Sequence, residues 1–223
     1  MNEQKYELSW SQLKSDWPVW LLLLVSFVAG ITAYPLLPDQ VPIHWNLQGE
    51  ADGFGSRWLG AFGLPLVNLG LYIFLRVLPL VDPRRENYTY FIRFYSRFIL
   101  VFMAAMTIFY LAALWAGLGK TMDIGWTVLG TIAVLFIFMG NSMGKVRPNY
   151  FVGIRTPWTL ANERVWQKTH RWSGRLFVIT GVLPLLAMLF SREAAMYALI
   201  GAALISAAGS VIYSYIVFRQ ETS

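Results

Sequence analysis

The chain has 223 residues, 57% of them hydrophobic and only 13% charged, with a mean hydropathy of +0.50. A soluble domain carries roughly a quarter charged residues, so the composition excludes an ordinary soluble fold and indicates an integral membrane protein. Cys is absent, which excludes disulfides, thiol catalysis and zinc thiolate sites.

Six apolar runs follow in chain order, at 17–37, 58–80, 94–118, 124–141, 173–190 and 194–218. Each reaches the length of about 18 residues that marks a bilayer-spanning helix. The expected fold class is therefore all-α, an integral membrane bundle of about six transmembrane helices. The first run is longer than a signal-peptide core and is read as a retained helix, with Asp16 as its cap and Pro18 in its first turn. Asn68, in the second run, is expected to make an interhelical hydrogen bond. Gly201, Ala202, Ala203, Ser206, Ala207, Ala208, Gly209 and Ser210 crowd the last run with small residues, which predicts a close helix interface.

The cations set the orientation. With a cytoplasmic N-terminus, fifteen of the eighteen Lys and Arg fall on the inner side, Arg76 among them, and only Arg57, Lys120 and Arg192 fall outside. Both termini and the 141–172 loop are then cytoplasmic, and 34–57 is outside. The charge of +6 is read as a topology signal, with no direct nucleic-acid partner. The chain divides into a three-span region 1–118 with an extracytoplasmic loop 35–57, and a three-span region 119–223 with a cytoplasmic loop 141–172.

The outer loop places Pro35, Pro38 and Pro42 before Ile43-His44-Trp45-Asn46, and reaches Asp52-Gly53-Phe54. This predicts extended chain followed by a turn at Asp52–Gly53. Pro42, Ile43, His44, Trp45, Asn46, Asp52 and Phe54 are candidates for contact with an amphipathic ligand arriving from outside. A compact cap on the bundle is the plainer alternative. Asp39, Glu50 and Asp52 lack the spacing of a calcium loop.

The inner loop begins with Gly140-Asn141-Ser142-Met143-Gly144, read as a helix end with a terminating Gly pair. An irregular segment follows, carrying Arg147, Pro148, Asn149, Gly153 and Arg155. Thr156 and Pro157 then suit the cap and first turn of a helix running through Trp172. Projected at 100° per residue, that helix shows a basic stripe of Arg164, Lys168, Arg171 and Arg175. An adjacent stripe holds Trp158, Ala161, Val165, Thr169 and Trp172, and a third side Glu163, Trp166, Gln167 and His170. The expectation is an amphipathic interfacial helix between the fourth and fifth spans, its cations at lipid headgroups and its third side open to a partner or packed on other inner loops.

No catalytic, metal or cofactor site emerges. His44 and His170 fall on opposite sides of the membrane, and no motif supplies a nucleophile. No ionisable residue sits near the middle of a run, which counts against ion-coupled transport.

Two blocks resemble known families. Pro42-Ile43-His44-Trp45-Asn46 with Gly49 and Asp52-Gly53 is similar to a short domain of unknown function (DUF1648-like) found in bacterial multispan proteins. Gly140-Asn141, Pro148-Asn149, Gly153-Ile154-Arg155-Thr156-Pro157-Trp158-Thr159-Leu160, Trp166 and His170 resemble the signature of the SdpI family, immunity proteins against the sporulation-delaying peptide toxin. The resemblance implies a non-enzymatic, multi-pass protein of the bacterial plasma membrane that protects against an extracellular antimicrobial peptide. It also implies a receptor role, drawing a cytoplasmic repressor to the membrane. The implied signature loop comprises Asn141, Gly144, Arg147, Pro148, Asn149, Gly153, Arg155, Thr156, Pro157, Trp158, Thr159, Glu163, Trp166 and His170, with Arg147 and Arg155 the residues expected to matter most. Two alternatives stand beside it: a small-molecule or peptide transporter, and a membrane enzyme using Glu163 or His170 at the cytoplasmic interface.

Overall fold

The computed structural model describes residues 5–46 and 49–222. Eight α-helices and one hairpin occur in the order α1 (Trp10–Ser15), α2 (Trp17–Ala33), β1 (Gln40–Trp45), β2 (Ala51–Ser56), α3 (Leu64–Val77), α4 (Tyr88–Gly117), α5 (Ile124–Met143), α6 (Pro157–Ala161), α7 (Glu163–Ala187) and α8 (Arg192–Thr222). Among the described residues, five helical stretches are long and apolar enough to cross a membrane: Trp17–Leu36, Leu59–Val81, Arg85–Gly117, Ile124–Met143 and Arg192–Thr222. The chain is a helical membrane bundle, as expected.

The run at 173–190 differs from the other five. It is the second half of α7, which starts at Glu163 and carries four cations in its first half, so that only the part after Arg175 is apolar. Residues 157–172 therefore do not form one separate helix. Thr156 caps α6 in a reciprocal pair with Thr159, but Asn162 then takes an extended conformation and caps α7 through Arg164 and Val165 N–H. The helical projection missed this break, because Asn162 is also acceptable inside a helix.

The chain clusters into two compact units, each drawn from separated stretches. The first comprises 1–9, 76–98 and 133–223. Its helices meet through small residues. A Cβ on Gly140 of α5 would lie 2.5 Å from the Gly174 carbonyl of α7, and a Cβ on Gly174 would lie 2.6 Å from the Gly140 carbonyl. Gly140 is thus a packing residue inside α5, and the helix continues to Met143. Along α8 the small residues Ala195, Ala202, Ser206, Ser210 and Ser214 are buried together with Leu199 and Val217, while Leu204, Ile205, Val211 and Ile212 are exposed. Small residues inside and large apolar residues outside is the arrangement lipid favours. Of the predicted small-residue stripe, Ala207 and Ala208 are exposed and Gly201 faces open space. Arg76, counted on the inner side, lies within α3 and is fully buried, with both terminal nitrogens 3.2 Å from Ser96 Oγ.

The second unit comprises 10–75 and 99–132. Its core packs Ala33, Leu37, Val41, Ala61, Tyr110 and Leu114. A widened turn at 59–63 precedes α3, and there Tyr110 OH donates to the Ala61 carbonyl at 2.8 Å. Asp16 occupies the cap position of α2 but caps no backbone N–H; its carboxylate accepts from Tyr72 OH at 2.8 Å. Asn68 is fully buried, and among the described residues neither end of its amide has a partner, contrary to the interhelical bond expected. The outer loop forms an antiparallel hairpin, with irregular register between Pro42 and Trp45. Asp52 and Gly53 lie within β2, not in a turn; Gly49, with φ of +77°, provides the left-handed residue of the reversal.

Substituting Gly140 by Ala drives a methyl into a backbone carbonyl that cannot move away. We expect G140A to lower stability by about 1–3 kcal/mol, read as a falling unfolding temperature in detergent, while G201A, which meets open space, leaves it unchanged or raised.

Candidate functional site

Two sites have defined geometry, one in each unit. The first is the signature loop between α5 and α7. Its irregular backbone cannot satisfy its own hydrogen bonds, and side chains do so instead. Asn149 is fully buried. Its amide donates to the Arg147 and Val152 carbonyls at 2.8 and 3.0 Å, and its oxygen accepts from Phe151 and Val152 N–H at 2.9 and 2.6 Å.

His170 and Trp166 hold the next stretch. Nε2 of His170 accepts from Ile154 N–H at 2.9 Å, so Nδ1 carries the proton and donates to the Trp166 carbonyl, also at 2.9 Å. The Trp166 ring stacks on the imidazole at 4.0 Å, and its Nε1 donates to the Val146 carbonyl at 2.8 Å. Gly153 has φ of +109°, and a Cβ there would lie 2.3 Å from His170 Nε2, so both conformation and space demand glycine. Thr156 bridges to Ser214 of α8 at 3.1 Å, and Trp158 packs on Tyr215.

A segment that the sequence reading passed over completes the loop. Asp82 is buried, and its carboxylate accepts from Arg84 N–H, Tyr88 OH and Tyr150 N–H at 2.8, 3.1 and 2.9 Å. Asn87 donates to the Pro148 carbonyl at 2.6 Å, and Arg84 to the Leu160 carbonyl at 3.1 Å. A lone Asp-Pro step amid arginines was the available signal.

Trp166 and His170 are therefore not open to a partner, and the Val165 and Thr169 stripe is buried in protein rather than set in lipid. Of the predicted loop residues, Asn141, Gly144, Arg147, Gly153, Arg155, Pro157 and Glu163 are exposed. Arg155 Nη1 donates to the Tyr150 carbonyl at 2.8 Å, Arg147 lies 3.6 Å from Glu163, and Asn141 bonds back to Ile137.

The second site is an apolar cleft of about 530 Å³ beneath the hairpin. Pro42, Ile43, Trp45, Trp58 and Leu59 are large lining residues, while Gly60, Gly63, Ala113 and Gly117 leave the volume unfilled. Three of the predicted outer contacts, Pro42, Ile43 and Trp45, line it. The others do not: His44 pairs with Asp52 across the strands at 2.5 Å, Asn46 bonds to Glu50, and Phe54 stays exposed.

Comparison with known proteins agrees with the resemblance. Residues 145–214 match the SdpI/YfhL protein family and residues 21–69 a domain of unknown function, DUF1648. The chain is 26% identical over 200 residues to the immunity protein SdpI of Bacillus subtilis (strain 168), covering 90% of this chain and 94% of the relative. No solved structure matches it. The first match spans the signature loop from Lys145 onward with α7 and most of α8; the second spans the hairpin with most of α2 and the start of α3. The chain is a multi-pass bacterial membrane protein.

Burial lowers the His170 pKa to about 4 from its ordinary 6.5, against a smaller opposing effect of the Trp166 carbonyl. The unfolded chain binds the proton first, so this stability is full above about pH 6.5 and is lost as pH falls towards 4. The loss between pH 7 and pH 5 should be on the order of 2 kcal/mol. In thermal unfolding of the detergent-solubilised protein, H170N should be less stable at pH 7 and lack that part of the wild-type pH dependence.

Proposed function

We propose that this member of the SdpI/YfhL family is a plasma-membrane immunity protein that protects its host by receiving apolar side chains of an extracellular antimicrobial peptide in the hairpin-covered cleft. The cleft carries the reading. An apolar cavity of hundreds of Å³ with aromatic walls is the usual form of a ligand site, and this one is lined by three residues of the hairpin that the cation count sets outside. His44 with Asp52 and Asn46 with Glu50 tie the two sides of the hairpin together.

The proposed role is non-enzymatic. Both ring nitrogens of His170 are engaged by backbone, and Glu163 is bound to Gln167 at 3.1 Å on an exposed helix face. The signature loop is instead a rigid support, and a cytoplasmic repressor, if recruited, would meet exposed charged groups such as Arg147, Arg155 and Glu163.

Expression in a toxin-sensitive bacterium, with survival scored against purified sporulation-delaying peptide at matched membrane abundance, tests the reading. Wild type should protect. Ala113→Phe, which fills the cleft, should abolish protection, whereas Arg155→Ala should retain most of it. Full protection by A113F would remove the cleft from the mechanism, and failure of the wild type would overturn immunity against this peptide.

A further inference from the structure

A second binding site lies in the first unit, where the first half of α7 meets the last turns of α8. Arg164, Lys168, Arg171 and Arg175 recur at intervals of four, three and four, which places them on one side of α7. They line a cavity of about 430 Å³, with Trp172 on the same helix and Tyr213, Val217 and Gln220 on α8. The Trp172 and Tyr213 rings stack at 4.5 Å and 13°, which gives the cavity a flat aromatic wall.

The charges in this groove are not balanced. Glu221 is the counter-ion at one end, 2.6 Å from Lys168 and 3.7 Å from Arg164. Among the described residues, Arg171 and Arg175 have no ion pair and no side-chain hydrogen bond, and both are exposed. Two guanidinium forks with unused donors, beside a polar amide and an aromatic wall, match the oxygens of a phosphoryl group.

The neighbouring surface selects the source of that group. Immediately after Arg175 the α7 sequence turns apolar, with Ile179, Val182 and Leu183 exposed, and towards its N-terminus from Tyr213 α8 exposes Ile212, Val211 and Ile205. Acyl chains attached to a headgroup in the groove would continue onto apolar helix. A soluble phosphate or an acidic peptide would gain nothing there. Basic pockets between membrane helices are the usual sites for anionic headgroups.

We propose that the α7–α8 groove is a binding site for the headgroup of an anionic phospholipid, held chiefly by Arg171 and Arg175. The inference is independent of the immunity reading, because neither the cleft nor the peptide enters it.

Native mass spectrometry of the purified full-length protein in detergent tests it, with phosphatidylglycerol and phosphatidylcholine of matched acyl chains added at equal concentrations. Phosphatidylglycerol should be retained in preference to phosphatidylcholine. Arg171→Gln with Arg175→Gln should weaken its retention roughly thirtyfold, the weight of two basic side chains at an anionic surface. The double Lys variant should keep much of it. Arg93→Gln with Arg97→Gln, which removes equal charge from exposed positions of α4, should keep all of it. Because Arg171 and Arg175 brace nothing else, the unfolding temperature of the Gln pair should match wild type.

Equal retention of the two lipids would overturn the proposal. So would equal losses in the two Gln pairs, which would reduce the groove to general positive charge. Displacement of the lipid by millimolar inorganic phosphate would show that the site takes free phosphate, and stronger competition by a poly-glutamate peptide would show a protein partner; either result would sink the lipid assignment.

Discussion

Buried irregular backbone must find its hydrogen-bond partners within the protein, because water does not reach it. The stretch from Val146 to Thr156 meets that constraint with side chains from four places: Asn149 inside the loop, Asp82 from the segment before α4, Thr159 of α6, and Trp166 with His170 from α7. Each has its capacity almost wholly used. Asn149 makes two donations and accepts two backbone N–H groups, and His170 uses one nitrogen as donor and the other as acceptor. The loop therefore forms together with its neighbours, and the residues of its motif read as partners for backbone rather than as chemistry.

This explains how much could be read from sequence. Thr156 and Pro157 announced a helix start because capping is local: the hydroxyl, the fixed φ and the next three residues suffice. Trp166 and His170 were placed correctly on one side of a helix, but periodicity gives an angle and not what fills it. Gly140 was read as a terminator because a glycine at a helix end and a glycine under a crossing helix are the same letter. Asp82 was invisible for a related reason, since an acid between arginines usually faces water, and only the fold reveals Tyr88 and Tyr150 above it. The hairpin was read as extended chain but not as paired strands: Pro42 lacks an N–H, and Gly53 and Gly55 weaken β propensity.

The two cavities arise by different means. Under the hairpin the volume comes from absent side chains. Gly60, Gly63, Ala113 and Gly117 share the lining with Trp45, Trp58 and Leu59, so small residues leave open a space that large ones border. A Cβ on Gly60 would lie 2.4 Å from Val41 Cγ2. That glycine thus serves the approach of β1 as well as the opening, and the hairpin's seat and the cleft share one residue. Between α7 and α8 the space is edged by charge, and its occupant must supply the anion that the protein does not.

What keeps the basic groove open is the contact below it. Thr180 and Ser206 join α7 to α8 at 2.7 Å, and Ser214 reaches Thr156 at 3.1 Å, with the Thr180, Ser214 and Thr156 hydroxyls also bonded to backbone. A helix pair fastened by short polar side chains in lipid has little freedom to slide, because any shift strands hydroxyls where no water can replace the partner. Gly209 adds the matching close approach, with the edge of the Trp172 ring 3.2 Å from where a Cβ would stand. The spacing between the cations of α7 and the Tyr213 and Gln220 side of α8 is consequently set before any ligand arrives. Such preorganisation lets a few exposed charges discriminate among headgroups, since little ordering remains to oppose binding.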